Sequence, residues 1–230
     1  MTLVVIQARM SSKRLPGKVL KFLDKRPILG HVADRCSLSV GKEKILIATS
    51  NAADDIPIVE FAKSQGFAYH CGPLEDVYSR LVGAISTNNV DHFVRVCADS
   101  PFLDSTLIDA ALRYYHAFDV DLVTNVFPRT YPKGQSVEVI RKSAFLDPDY
   151  KTLNGFCEEH VTQGFYQHCD KYDILNFTRP EIHEKDSLSW AVDTADEFNA
   201  MIDLLHNHPG GPSPFGVGET MLHARKGRNA

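Results

Sequence analysis

Leu3-Val4-Val5-Ile6-Gln7-Ala8-Arg9-Met10-Ser11-Ser12-Lys13-Arg14-Leu15-Pro16-Gly17-Lys18 is the stretch that decides how this chain folds. The apolar run Leu3–Ile6 reads as a buried first strand. Arg9, Lys13, Arg14 and Lys18 then place four cations within ten residues. Ser11 and Ser12 add hydroxyls, and Gly17 permits close backbone approach. A basic, hydroxyl-bearing loop leaving the end of a strand suits an anion with several phosphates. The loop is not a Walker A motif, because Gly17-Lys18 runs into Val19 and the earlier glycine is missing. It is not the dinucleotide G-x-G-x-x-G fingerprint either. On residue types alone, a solvated basic loop is the competing explanation.

Outward from this loop the pattern alternates. Helical periodicity over Pro27–Cys36 is followed by an apolar strand, Lys44–Thr49. Asp54 and Asp55 open a helix that Gly66 stops, and Phe67–His70 reads as a short strand. A helix from Glu75 to about Ser86, a strand at Asp91–Cys97, a helix at Thr106–His116 and a strand at Val120–Thr124 continue the series. Strands alternating with helices imply an α/β fold with a mainly parallel sheet covered on both faces. After Asn125 the rhythm changes. A proline- and aromatic-bearing loop at Phe127–Gly134 precedes a strand at Val137–Ile140 and a helix start at Lys142–Phe145. A helix over Glu158–Tyr166, a strand at Tyr172–Phe177, a last strand at Leu188–Val192 and a final helix to about His206 are then expected. Residues 1–208 form one domain in this reading, and 209–230 an irregular C-terminal tail rich in glycine and proline near its start.

The 230 residues suffice for one large α/β domain, and 43% apolar content is ordinary for a globular chain. A net charge of −4 argues against nucleic acid as a partner, so anion binding must rest on local cations. The apolar runs are far too short to span a membrane, and Met1-Thr2-Leu3 enters a strand directly with no secretory signal. The five cysteines form no C-x-x-C pair; reduced thiols in a cytoplasmic protein are the simplest account.

Two carboxylates stand out. Asp99, in Val96-Cys97-Ala98-Asp99-Ser100-Pro101, sits just past a predicted strand, where open α/β sheets bind ligands. It suits a hard divalent cation bridging to phosphates, or else it caps the turn around Pro101. Asp193, in Ala191-Val192-Asp193-Thr194-Ala195-Asp196, also follows a predicted strand, and Thr194 can cap the next helix. Here too the bland alternative is that Asp193 belongs to the cap. Neither aspartate has a basic neighbour in sequence. Asp76 and Arg80 are spaced i, i+4, so a plain helix ion pair competes with any ligand role.

Taken together, these segments resemble the sugar-acid cytidylyltransferases. That group includes CMP-Kdo synthetase, CMP-N-acetylneuraminate synthetase and SpsF-like spore-coat polysaccharide proteins. Ala8-Arg9-x-x-Ser12-x-Arg14-Leu15-Pro16-Gly17-Lys18 is similar to their N-terminal signature. Asp99 falls in a turn similar to their G-D-x-P segment, with Ala98 for glycine. Asp193 falls in one similar to V-D-T-P-E-D, with Ala195 for proline. Gly72–Arg80 resembles G-x-x-x-D-V-L-x-R. Pro132–Val139 and Glu158–Thr162 resemble P-x-G-x-D/S-V-E-V and R-E-H-V-T, with Glu158 for arginine.

The resemblance, which runs from Leu3 to about Leu205, implies a three-layer nucleotidyltransferase domain of glycosyltransferase-A type with a mixed, mostly parallel seven-stranded sheet. It implies transfer of CMP from CTP to the anomeric hydroxyl of a sugar acid, with pyrophosphate released. Ala8, Arg9, Met10, Ser11, Ser12, Lys13, Arg14 and Lys18 are expected on the nucleotide, with Asp76, Arg80, Arg95, Ala98 and Asp99. Arg9, Arg14, Lys18, Asp99 and Asp193 are expected to be catalytic, with Asp99 and Asp193 holding Mg²⁺. Lys133, Gln135, Glu138, Glu159 and His160 are expected around the sugar, although Glu138 and His160 also suit structural polar roles. The resemblance also implies a homodimer through the apolar, aromatic segment 127–177. Alternatives are another NTP or a sugar phosphate as substrate, a glycosyltransferase on the same fold, and a non-enzymatic nucleotide-binding partner.

Overall fold

Thr2–Gln7 forms strand β1, and its alternating side chains serve both faces of the molecule. Leu3 and Val5 point into one core, Val4 and Ile6 into the other. The chain is described from a computed structural model covering residues 2–153, 156–179, 189–207 and 221–225.

After β1 come a small hairpin, β2 (Phe22–Leu23) and β3 (Arg26–Pro27), and helix α1 (Ile28–Val40). Strand β4 (Ile45–Ser50), helix α2 (Ile56–Gln65), strand β5 (Ala68–Gly72), helix α3 (Val77–Ser86), strand β6 (His92–Cys97) and helix α4 (Ser105–Ala117) continue the alternation. Strand β7 (Leu122–Thr124), strand β8 (Glu138–Arg141) and the short helices α5 (Lys142–Phe145) and α6 (Gln163–Gln167) follow. Strand β9 (Ile174–Thr178), helix α7 (Ala195–Asn207) and strand β10 (Met221–Arg225) complete it. The main sheet has the order β10-β9-β7-β8-β6-β1-β4-β5. Only β8 and β10 run against the others, so the sheet is mixed and mostly parallel. Seven strands carry the expected architecture, and β10 adds an antiparallel edge beside β9.

α1 and α4 cover the Val4/Ile6 face with Leu29, Val32, Leu107 and Ile108. α3 covers the Leu3/Val5 face with Leu81, Ala84 and Ile85. Burial of such side chains contributes on the order of 1.5–3 kcal/mol each.

Several expectations change. The stretch 188–192 is not a strand: Leu188 lies outside the described residues, and 189–192 belong to no ladder. Trp190 N donates to Lys133 O (2.7 Å) and Val192 N to Asp99 O (2.8 Å), so loops satisfy this backbone. The helix expected over Glu158–Tyr166 shortens to Gln163–Gln167. The tail 209–230 carries β10; the rest of it lies outside the described residues. The aromatic side chains of 127–177 pack inward. Phe145, Tyr150, Phe165 and Tyr172 join Tyr78 in one buried cluster, with ring centroids such as Tyr150–Phe165 at 4.7 Å. They cover the chain's own sheet, so their abundance is no argument for a partner.

Candidate active site

β1 and β6 lie side by side and end level, Gln7 beside Cys97. Ala8 N donates to Ala48 O and Ala98 N to Gln7 O, each at 3.0 Å. The loops leaving these strands therefore start from fixed peptides. Between them opens a cleft of about 670 Å³ at the C-terminal end of the parallel strands, where such folds bind ligands.

The basic loop is held by its own backbone. Met10 O accepts from Ser12 N (2.8 Å) and Gly17 N (2.9 Å). Gly17 adopts φ +69, in the left-handed region that glycine enters freely. A 3₁₀ turn then begins at Lys18 and buries Val19, which draws the Lys18 side chain inward to 10% exposure. Its ammonium donates to Asp99 Oδ2 (2.8 Å) and Asp193 Oδ1 (2.7 Å). Arg14 reaches the other Asp193 oxygen at 2.9 Å, and Lys133 also pairs with it. Gly134 holds Lys133 in place by close approach: φ is +94, and a Cβ there would lie 2.3 Å from the Trp190 carbonyl carbon.

Burial alone would raise the Asp193 pKa, but hydrogen bonds from Lys133 and Lys18 hold the carboxyl well below the usual range. Burial opposes the Lys18 charge; the Asp99 and Asp193 carboxylates overcome it and raise the ammonium pKa. Capping duties fall elsewhere. Asp104, not Asp99, caps α4 by accepting from Thr106 N (2.9 Å). Thr194 and Glu197 form a reciprocal capping box at α7: Glu197 N donates to Thr194 Oγ1 (3.2 Å), and Thr194 N to Glu197 Oε2 (2.9 Å). Asp99 and Asp193 are thus free to face the cleft.

The donor set fits a magnesium ion. Two carboxylates converge on one cation position, here met by an ammonium. The described residues hold no cluster of three acidic, histidine or cysteine groups, so Asp99 and Asp193 would leave further positions for phosphate oxygens and water, as Mg²⁺ prefers.

Ala8, Arg9, Ser11, Ser12, Lys13, Arg14, Lys18, Arg80, Arg95, Ala98, Asp99, Glu159, His160 and Asp193 all line this cleft. Arg80 is fully buried, and its Nη1 donates to Pro73 O and Leu74 O while Nε and Nη2 have no partner among the described residues. Burial and then the neighbouring Arg9 lower its pKa. Unsatisfied buried donors on a cleft wall are where a ligand acceptor gains most. Arg9 reaches across to Glu159 at 2.5 Å.

Other expected residues have different work. Gln135 is fully buried: its Nε2 donates to Phe102 O (2.8 Å) and its Oε1 accepts from Asp104 N (2.9 Å). It shapes the turn before α4 and does not face the cleft. Glu138 is 3% exposed and bonds Arg95 (2.5 Å) and the Tyr166 hydroxyl. It orients Arg95 from the neighbouring strand, outside the cleft lining. Asp76 does not pair with Arg80; it caps α3 through Ser79 N (2.7 Å). Met10 is not in the cleft lining; it packs against the core and borders a second depression with Pro16, Ala53 and Pro57. Lys133 enters the site through Asp193. Gln7, Glu75 and Cys97 also line the cleft and had no signal beyond their neighbourhood to marked residues.

A family model described as cytidylyltransferase matches residues 3–194. The spore coat polysaccharide biosynthesis protein SpsF of Bacillus subtilis is 28% identical over 206 residues, covering 86% of this chain and 84% of that protein. A 3-deoxy-manno-octulosonate cytidylyltransferase of Mesorhizobium japonicum is 28% identical over 160 residues, covering 67% and 60%. Among solved structures, a cytidylyltransferase from Leptospira borgpetersenii superposes with a TM-score of 0.83 at 25% identity, covering 90% of this chain and 87% of that one.

Proposed function

The chain belongs to the cytidylyltransferase family and is a nucleotidyltransferase, and from that premise we propose that it transfers CMP from CTP to the anomeric hydroxyl of a sugar acid, for cell-surface polysaccharide or glycan synthesis. The observation that carries the reading is the meeting of loop cations with two carboxylates in one cleft, Asp99 just past β6 and Asp193 on the loop tethered to it.

Arg9, Lys13, Arg14 and Lys18 would neutralise the triphosphate, with the loop hydroxyls of Ser11 and Ser12 beside them. Arg80 offers its unpartnered donors to the nucleotide. Asp99 and Asp193 would hold Mg²⁺, which when bound would withdraw charge from the α-phosphate and the leaving group. Lys133, Glu159 and His160 would contact the sugar. The hydroxyl oxygen bonds to the α-phosphorus as the α–β bridging bond breaks, its proton passes to solvent, and pyrophosphate leaves. Catalysis is then positioning and charge stabilisation. As folded here, Lys18, Arg14 and Lys133 are all spent on Asp193. With triphosphate bound, Arg14, Lys18 and Lys133 would turn from Asp193 to phosphate oxygens and leave Asp99 and Asp193 to hold the ion, so little charge would stand unpaired.

Pyrophosphate release should be fastest with CTP among CTP, UTP, ATP and GTP, in the presence of a panel of 3-deoxy-ulosonic acids. Equal rates with a purine nucleotide would contradict the nucleotide assignment. Release only with a sugar phosphate would contradict the sugar-acid one. The reading also includes a cytoplasmic location and, on resemblance alone, a homodimer. Light scattering at micromolar concentration should give twice the 25.7 kDa chain mass; a monomer mass removes the dimer without touching the chemistry. Among the described residues no helix is long and apolar enough to cross a membrane.

A further inference from the structure

Asp55 stands at the start of α2, where an aspartate ordinarily caps its own helix. It does not do so: its side chain makes no cap hydrogen bond. The carboxylate turns the other way and is 1% exposed. Oδ1 accepts from Met10 N at 2.6 Å, 45 residues away in sequence. Oδ2 accepts from Ser50 N at 3.2 Å and from the Ser50 hydroxyl, at the end of β4. Among the described residues it makes no ion pair. Burying a carboxylate is expensive unless its oxygens are hydrogen-bonded, and here neutral donors meet both of them. The carboxylate also sets a negative charge behind a loop built of cations, which opposes anion binding. A purely electrostatic account of the loop would not place it there.

Geometry supplies the reason. Met10 is the pivot of the basic loop: its carbonyl accepts from both Ser12 N and Gly17 N. Its own N–H, in the preceding Arg9–Met10 peptide, is held by Asp55, so the planes on both sides of the Met10 Cα are fixed. Ser50 in turn ties Asp55 to the strand next to β1. The chain Ser50–Asp55–Met10 thus fixes the loop to the sheet at its turning point, with Arg9 on one side and Ser11 to Arg14 on the other.

We propose that Asp55 is a positioning residue for the nucleotide-facing loop: by holding the Met10 peptide it sets the direction in which Arg9, Ser11, Lys13 and Arg14 meet the triphosphate. The inference rests on the reading of this cleft as a CTP site. Asp55 touches no reacting atom; it acts through the loop, and a misplacement of about 1 Å costs on the order of 10²-fold in rate.

The test compares wild type with Asp55→Ala, Asp55→Asn and Asp54→Ala, the last an exposed neighbour. With CTP and Mg²⁺, Asp55→Ala should raise the KM for CTP on the order of 10- to 100-fold and leave the KM for the sugar acid within about twofold. Asp55→Asn retains an acceptor for Met10 N–H and should recover part of that loss. Asp54→Ala should match wild type. Amide exchange read at Met10 without nucleotide should be slow in wild type and faster in both Asp55 variants; this arm stands even if Asp55→Ala folds poorly, because Asn keeps the volume. An unchanged KM for CTP in Asp55→Ala, equal rises in both KM values, or unchanged Met10 exchange in Asp55→Asn would overturn the assignment. If wild type itself showed no saturation by CTP, the CTP reading would fall and this inference with it.

Discussion

Asp99→Asn and Asp193→Asn are each expected to lower the metal-dependent rate on the order of 10²–10³-fold, and the double variant to lose little more. Both carboxylates approach one ammonium, Lys18 Nζ, within hydrogen-bond distance. Groups that serve one cation act as a unit, so their losses do not add. Two couplings must be separated. One runs through Lys18 and shows in the stability of the free protein; the other runs through Mg²⁺ and shows in its affinity. Removing the Asp193 charge leaves Lys18 and Lys133 short of a partner, so the free protein should lose on the order of 1.5–3 kcal/mol. Calorimetry with Mg²⁺ and CTP, beside pyrophosphate release against Mg²⁺ concentration, reads the second coupling alone. Additive rate losses, or an unchanged Mg²⁺ dependence in either single variant, would remove the shared-site account.

Lys18→Met should slow turnover on the order of 10²–10³-fold, and it should also destabilise the free protein. From sequence, Lys18 reads as a triphosphate-binding loop cation whose loss slows turnover without unfolding the chain. The structure buries it between two carboxylates, so removal leaves them facing each other. Loss of one partner of a well-buried pair costs roughly 3–5 kcal/mol, and partial exposure of Asp99 places this site toward the lower end. Magnesium should restore much of the stability of Lys18→Met while leaving its rate low, because an ion neutralises the carboxylates but does not replace the ammonium on the phosphates. Arg14→Ala, at an exposed side chain, should lose rate with little change in stability. The pH dependence follows from the signs. Asp193 is depressed, so its contribution is present above the ordinary carboxylate range and lost as pH falls through the lower folded value. Lys18 is raised, so its contribution is present below the ordinary ammonium value and lost as pH rises through the higher folded one. The cluster therefore holds across neutral pH. Thermal melts of wild type and Lys18→Met against pH should converge only in strong acid and strong base. Equal melting temperatures at neutral pH without magnesium would contradict the buried-bridge role.

Where elements alternate regularly, the sequence was enough: β1, the loop, α1 and the βα series to β7 follow from apolar period and turn residues. Asp99 was legible because the strand before it is a ladder strand. Asp193 was found for a partly wrong reason. Ser189–Val192 has strand-like apolar residues, but the Trp190 and Val192 N–H groups go to the Lys133 and Asp99 carbonyls, and local pattern does not distinguish a ladder from a tether. That tether is also what brings Asp193 to Asp99. The aromatic run after Asn125 looked like covering for a partner; Tyr150 and Phe165 instead fill the face of the sheet beyond α3. Gln135 was expected at the sugar because its segment resembles one of the family, yet its two ends match two backbone groups of a buried turn. The pairing of Lys18 with Asp193 spans 175 residues, and no local signal predicts it. Asp55 was hidden for the opposite reason. An aspartate at a helix start already has an ordinary explanation, and only the direction of its side chain removes it.

The most direct measurement of the central claim follows the phosphates of CTP. The protein is incubated with Mg²⁺, a 3-deoxy-ulosonic acid and CTP labelled either at the α- or at the γ-phosphate, and the products are separated. The account predicts α-label in a CMP-sugar and γ-label in pyrophosphate, in equal amounts and only when sugar is present. Sugar-dependent release of γ-label as inorganic phosphate, or α-label that stays out of the sugar product while CTP is consumed, would contradict attack at the α-phosphorus and with it the cytidylyl transfer assigned to this cleft.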